Sequence, residues 1–500
     1  MSSGRRRGLL GALLLCTLTA CGTTVPLSSQ VAIGTGASGS SAADSAGSSA
    51  AGTTDAGTAA SAQSGSAAPG AGGAAGGPTG SSTSSGTSSA PSGISAGKGA
   101  HAPIKLGFTT VPDASAFFAS FGASVKNVDQ AAMLRNAISW VNKNGGLNGH
   151  PIQAYIEAVS ATSSEPYDQQ YQNLCQKYTR DDKVVAAGMV GIGADTNMDA
   201  CMNNARTLFV TGSNTLHDEV DYAKTPLVVS PEEVTSSILG KTLAQLIVAR
   251  ALEKRGGKVG ILNYDIPEYN RAVDNQLKPI LAAAGIGLVQ YTIPPPPSTA
   301  AIGDSVSVVQ SAELKMASQG VKTVTFLCSG CAPFFIQSAN SQNYYPRYVL
   351  SSLDTPGAAN GASYQKALQS SISVGWEPNA DYGTSTPPAG TPHSATYAQC
   401  LKIQKPVISS SADVPIAMIT CDEVLDFYYA AKANPVEPIT STSLRDGILA
   451  LGTRHPSALS FATDLGPQRH AGAKQYRVMT WSDTCGCPSY SGPAETFPAL

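Results

Sequence analysis

One alternation, run twice, constrains this chain more than any other feature. The apolar stretch Ile104–Val111 reads as a buried strand. Val128, Ala131, Leu134, Ile138 and Val141 then recur at three- and four-residue steps, which predicts an amphipathic helix. Asn144-Gly145-Gly146 should end that helix, because these residues tolerate left-handed backbone. A strand ("PIQAYIEAVSA"), a polar helix ("YDQQYQNLCQKYTRDD") and a continuously apolar strand, Val184–Ile192, follow. Next come a helix carrying Cys201, the strand "TLFVTGSN" and a short one in "PLVVSP". Apolar strands alternating with amphipathic helices imply parallel βαβ units, with a sheet covered on both faces.

The pattern then restarts. A helix through Leu239, Leu243, Leu246 and Ile247 is expected to run to Gly256-Gly257, and "KVGILNYD" opens a second strand series. It continues with a helix from about Glu268, the strand "LVQYTI", another helix, "VTFLCSG", a helix after Cys331 and "YVLSSLD". Two such series predict an α/β protein of two doubly wound parallel-sheet lobes joined by a hinge. We place the first part of lobe one at 103–257 and lobe two at 258–376. In open parallel sheets ligands gather at the carboxyl ends of the strands, which in a two-lobed protein face the cleft.

The amino-terminal segment has a different character. Arg5-Arg6-Arg7 precede an apolar run from Gly8 to Leu15, the pattern of an export signal over residues 1–20. Leu18-Thr19-Ala20-Cys21 resembles a bacterial lipobox, in which Cys21 would be diacylated, and two acyl chains make a stable anchor. The arginines leave the Sec and Tat routes both open. Residues 21–102 carry this cysteine and a stretch of almost pure Ser, Gly, Ala and Thr without an aromatic residue, expected to stay disordered. Such a coil of ~80 residues spans roughly 50 Å r.m.s.. The expectation is an exported chain, tethered to the outer face of the cell membrane.

With a net charge of −2 and charged residues at 13%, no basic patch suggests nucleic acid. Six histidines without HxxxH spacing, and the lack of a phosphate loop or a Ser-His-Asp context, give no support to an enzyme, a cofactor or a metal site. The chain has 10 cysteines; once Cys16 leaves with the signal and Cys21 carries lipid, an even set remains for disulfides in an oxidising compartment. Spacing suggests the local pairs Cys175–Cys201, Cys328–Cys331, Cys400–Cys421 and Cys485–Cys487. "CSGC" between a strand and a helix is also how a thiol oxidoreductase presents its redox pair. Its place deep inside a longer doubly wound series favours a staple in a binding loop.

The stretch "VNKNGGLNGHPIQ" (Val141–Gln153) resembles the GG-[IL]-N-G-x-x-I signature of type I periplasmic binding proteins, closest to the branched-chain amino acid and amide group of ABC importers. The resemblance covers Ile104 to about Trp481. It implies a monomeric, non-catalytic solute-binding lipoprotein that closes two lobes on a small polar metabolite and delivers it to a permease. It also implies that residues 377–500 return between the lobes, beginning with a Pro- and Gly-rich loop from Glu377 to Pro392. "YRVMTWSDTCGCP" reads as a last strand and a stapled tail.

The same resemblance nominates ligand contacts. Gly193 and Ala194, at a helix start, could offer N–H groups to an anion, although the Ser-rich loop of amino-acid-binding relatives is missing and Asp195 could cap the helix. Thr215 stands where relatives hold a ligand carboxylate, with Ser213 beside it as contact or turn former. Tyr269 matches a tyrosine placed near ligand, or is a surface residue. Asp354 falls where an acid pairs with a ligand ammonium, or forms a turn before Pro356-Gly357. Phe117, Phe118 and Phe121 are either a cleft wall or the core side of a helix start. A sensing or protein-interaction role on the same fold, and thiol chemistry at Cys328/Cys331, are the competing functions.

Overall fold

In the computed structural model the described residues are 101–120, 126–190, 196–212, 216–356, 366–382 and 391–500. The signal, Cys21, the tether and Phe121 lie outside them, as do the side chains of Phe117 and Phe118.

Five parallel strands form the first sheet, in the order β2-β1-β3-β4-β5: β1 Ile104–Thr110, β2 Ile152–Ala158, β3 Ala186–Val190, β4 Leu208–Gly212 and β5 Val228–Val229. The second sheet has seven strands, β12-β11-β10-β9-β8-β6-β7. Its parallel part is β6 Lys258–Tyr264, β7 Gly287–Ile293, β8 Thr323–Leu327, β9 Arg347–Ser351 and β10 Ile372–Gly375. β11 (Gln475–Ser482) and β12 (Cys487–Thr496) extend it as an antiparallel hairpin. Sequence reading anticipated one closing strand; the second is the exposed, Pro- and Gly-containing stretch "CPSYSGPAET", whose weak apolar alternation hid it.

The signature stretch shows why its residues are needed. The Gln130–Lys143 helix stops at Asn144, and Gly145 and Gly146 take φ of 99° and 61°. A Cβ at Gly146 would collide with the His150 carbonyl, so this turn admits glycine alone. Asn148 donates from its side-chain amide to the Ala431 carbonyl at 2.8 Å, fixing the turn to the Val414–Ala433 helix. Gly107 leaves β1 bare for the Tyr178 ring, whose hydroxyl donates to the Phe108 carbonyl at 2.7 Å.

The Ser236–Ala249 helix ends earlier than expected: Ala251 takes a positive φ of 48°, and irregular chain runs from there to the Gly256-Gly257 turn. The Glu377–Pro392 stretch, read as loop, contains the short helix Pro378–Tyr382.

Three chain segments pass between the two sheets. Residues 230–235 leave β5 for the Ser236–Ala249 helix, which packs on second-sheet elements. Residues after β10 lead to the Ala395–Gln404, Val414–Ala433 and Ser441–Leu451 helices, buried against β1, β3 and β4 in one apolar core. Residues 455–474 then return to β11. The first and third crossings run side by side: Ser230 N–H donates to the His470 carbonyl (2.9 Å), Gly472 N–H to that of Ser230 (3.0 Å) and Ala473 N–H to that of Glu233 (2.8 Å).

Four disulfides join Cys175 to Cys201, Cys328 to Cys331, Cys400 to Cys421 and Cys485 to Cys487. Among the described residues no helix is long and apolar enough to cross a membrane.

Candidate functional site

Each sheet has a point where strand order reverses. β1 lies between β2 and β3 in the first sheet, and β6 lies between β7 and β8 in the second. The chain leaving the carboxyl ends of these strands lines the crevice where open α/β sheets take ligands. In the first sheet the loop after β1 carries Asp113. It accepts hydrogen bonds from Ser160 Oγ (2.7 Å), Ala161 N (2.8 Å) and Thr162 N (2.9 Å), and so binds the loop after β2. Burial pushes this carboxyl up, but those bonds outweigh it and hold it at about 2. In the second sheet the loop after β8 is the Cys328–Cys331 ring; the Tyr264 hydroxyl donates to the Ser329 carbonyl at 2.7 Å. Both cysteines are buried, Cys328 at 0% and Cys331 at 3% exposure, which suits a staple and hinders attack on an outside thiol.

Gly193, Ala194, Ser213 and Thr215 lie outside the described residues. Tyr269 and Asp354 do not. Tyr269 is fully buried, and its hydroxyl accepts the Leu216 backbone N–H at 3.0 Å. The second-sheet tyrosine thus meets the segment that follows the β4 loop. Nearby, Arg271 donates to Asp218 and Asp221, with two contacts of 3.0 Å, and Tyr167 N–H donates to the Pro297 carbonyl at 2.8 Å. These contacts hold the two sides together at the carboxyl ends of the strands.

Asp354 ends the turn after β9. Its Oδ2 accepts the Ser351 N–H (2.8 Å) and hydroxyl (3.1 Å), which is capping chemistry, while buried Oδ1 has no partner. Burial pushes this carboxyl up to about 8, and the two Ser351 bonds pull weakly the other way. Ser352 Oγ donates to Asp381 at 2.8 Å and accepts the Trp376 N–H at 2.8 Å, joining the turn to the second crossing.

Sequence reasoning missed an array of acids at the crossings. Glu232 and Glu233 sit on the first, Glu377 and Asp381 on the second, and Asp422, Glu423 and Asp426 face them from the Val414–Ala433 helix, with His455 opening the third. All but the partly buried Glu377 are buried. Burial raises the whole set, Glu233 to about 8 and Asp381 and Asp422 to about 7. Glu232, Glu377 and Glu423 are raised well above the usual carboxylate range, again by burial first and by neighbouring acids second. Among the described residues no lysine or arginine pairs with any of them; the basic side chain within 4 Å of Glu232 and Asp426 is His455. A Cβ at Gly188 would collide with the Glu423 carboxylate, so β3 is cut away beneath that acid. The available signal was "CDEVLDF", three acids in the middle of a largely apolar helix.

Neither a family model nor a curated protein sequence matches the chain. Solved structures do. A fatty acid ABC transporter substrate-binding protein from Thermomonospora curvata superposes with TM-score 0.54 at 12% identity, covering 79% of this chain and 92% of its own. A branched chain amino acid ABC transporter protein from Thermus thermophilus with bound valine gives 0.55 at 13% identity, covering 80% and 97%. A possible leucine/isoleucine/valine-binding protein from Rhodopirellula baltica gives 0.53 at 13% identity, covering 79% and 97%. The chain therefore has the type I periplasmic binding protein fold. The likeness is one of architecture, and the side chains at the site are this chain's own.

Proposed function

We propose that this protein is an extracytoplasmic solute-binding receptor of the ABC importer type, held at the outer face of the cell membrane by a diacylated Cys21. It closes its two sheet-bearing lobes on a small polar metabolite and presents it to a permease. The observation that carries this reading is the junction itself. Two strand-order switch points lie on either side of three crossings, with Tyr269–Leu216 and Arg271–Asp218 joining the sides where ligand would lie. The structural neighbours, named for fatty acid, branched-chain amino acid and valine ligands, show the fold accommodating different solutes.

The groups at the β9 turn and the crossings point to the class of solute. They are acids, and a buried carboxylate seeks a cation or a donor. The unpartnered Oδ1 of Asp354 is the one we assign to a ligand ammonium or amide, with Tyr269 as a wall and Gly193, Ala194, Ser213 and Thr215 as further contacts. No covalent chemistry is required. The protein acts as a monomer, its solute binding needs no cofactor, and ligand favours the closed arrangement by binding it more tightly than the open one.

Native mass spectrometry of the purified protein, before and after unfolding and refolding, tests this. A small amine- or amide-bearing mass should be present before, absent after, and restored by adding it back, with Asp354→Asn weakening its recovery. Recovery of a protein partner in its place would move the reading to the interaction role. For the anchor, Cys21→Ala should release the chain from the membrane fraction; retention there would refute lipidation at this residue.

A further inference from the structure

The geometry around His455 points to a site that the solute-binding role does not use. His455 is buried, its side chain 0% exposed, at the start of the third crossing. Its Nε2 lies 2.8 Å from Asp426 Oδ1, so the Nε2 proton is committed to that carboxylate. The other ring nitrogen is Nδ1, a lone-pair ligand in the neutral ring. It has no hydrogen-bond partner, and 3.9 Å away stands Glu232 Oε1, which is also buried and also without one. At 3.9 Å the two atoms are too far apart to hydrogen-bond, and each is left without a polar partner inside the protein.

We propose that Glu232 and His455 bind a divalent transition-metal ion, with Asp426 orienting the imidazole. Zinc binds histidine nitrogen at about 2.0–2.1 Å and carboxylate oxygen at about 2.0–2.2 Å. An ion between two such ligands fits a separation of up to about 4.2 Å, and the 3.9 Å between Nδ1 and Oε1 lies inside that reach. Glu232, Asp426 and His455 can each place a ligand atom within 4.8 Å of the others. A ligating histidine that gives its second N–H to a carboxylate is the arrangement that fixes tautomer and ring direction in metal sites. One imidazole with carboxylate oxygens suits Zn²⁺ or Mn²⁺. The ion would fasten the first crossing (Glu232) and the third (His455) to the Val414–Ala433 helix.

A second group could bind metal adventitiously. His101, His150 and Glu437 meet at the surface, with ring nitrogens 3.0 Å apart. The test therefore uses the full chain carrying His150→Gln. Elemental analysis after purification without chelator should find about one equivalent of a divalent metal per chain. Chelation should lower the unfolding midpoint, and added Zn²⁺ or Mn²⁺ alone should restore it with dose. Glu232→Gln and His455→Gln should lose stoichiometric binding. Asp426→Asn should weaken it about 10–100-fold, and Asp354→Asn should leave it unchanged. The chelation experiment needs no variant at the site, so it decides even where those substitutions impair folding. No retained metal together with no midpoint shift from Zn²⁺ or Mn²⁺ would overturn the site and leave the cluster to protons or water. Binding that persists in both Glu232→Gln and His455→Gln would overturn the assignment of ligands.

Discussion

The Tyr269 hydroxyl accepts the Leu216 backbone N–H at 3.0 Å, so a side chain beyond β6 is bonded to the segment beyond β4. Tyr269 is fully buried and Leu216 is 1% exposed, which leaves no water to replace the bond. Tyr269→Phe keeps the ring and orphans the N–H. The expected cost is about 1–3 kcal/mol, the penalty for a buried unsatisfied donor, read by urea denaturation. An unchanged denaturation midpoint would show that the two sides do not depend on this bond.

Arg271 spans the same junction to Asp218, whose carboxylate is buried, and to Asp221. Arg271→Met leaves Asp218 with the backbone donors Val220 and Asp221 alone. Because Arg271 is 27% exposed, solvent screening keeps the effect below that of a fully buried pair. We expect a loss of about 1–3 kcal/mol and a larger radius of gyration in solution scattering, since the contact joins the two sides. A variant as compact and as stable as the parent would count against that role.

His217 and Asp199 form a buried ion pair beside β4. Burial lowers the imidazole, but the charge and hydrogen bond of Asp199 outweigh it and raise His217 from 6.5 to about 9. A folded-state value above the unfolded one means the pair stabilises fully below about pH 6.5, and that contribution disappears as pH rises through 9. The pair should therefore contribute roughly 3 kcal/mol of stability at pH 6 that is gone by pH 10. Asp199→Asn should flatten the stability profile between those values. Parallel profiles for parent and variant would contradict this.

Asp354 separates stability from binding. Its carboxyl is raised from 3.8 to about 8 by burial, so ionisation is disfavoured and stability falls as pH rises from about 4 through 8. Asp354→Asn removes that titration and should leave stability at pH 8 equal or higher. The same variant should weaken an amine-bearing solute at least tenfold, a loss of about 1.4 kcal/mol. Unchanged affinity, measured calorimetrically, would return Asp354 to a purely capping role.

Much of the fold was legible because βαβ units announce themselves through period and punctuation. The GGLNG turn, the parallel strands and the restart after Gly257 each follow from local rules. The β12 strand did not, because an edge strand with an exposed face shows little apolar alternation. The early end of the Ser236–Ala249 helix was hidden because Arg250-Ala251-Leu252-Glu253-Lys254-Arg255 are all good helix formers and carry no turn signal before Gly256. Of the nominated site, Asp354 takes the turn role that the sequence offered as its alternative, through Ser351 three residues before it, while Tyr269 bonds Leu216, a partner too distant along the chain for sequence to supply. The carboxylates around His455 escaped notice because Glu232, Asp426 and His455 are far apart along the chain. Only the crossings bring them together.

The central claim is best tested by thermal unfolding of the full protein across a panel of amines, amides, amino acids and carboxylates. The account predicts that at least one amine- or amide-bearing solute gives a saturable shift, worth about 2.7 kcal/mol at ~100 times its dissociation constant. That shift should shrink in Asp354→Asn. A panel in which no small solute shifts the transition would contradict the claim that the two lobes close on one.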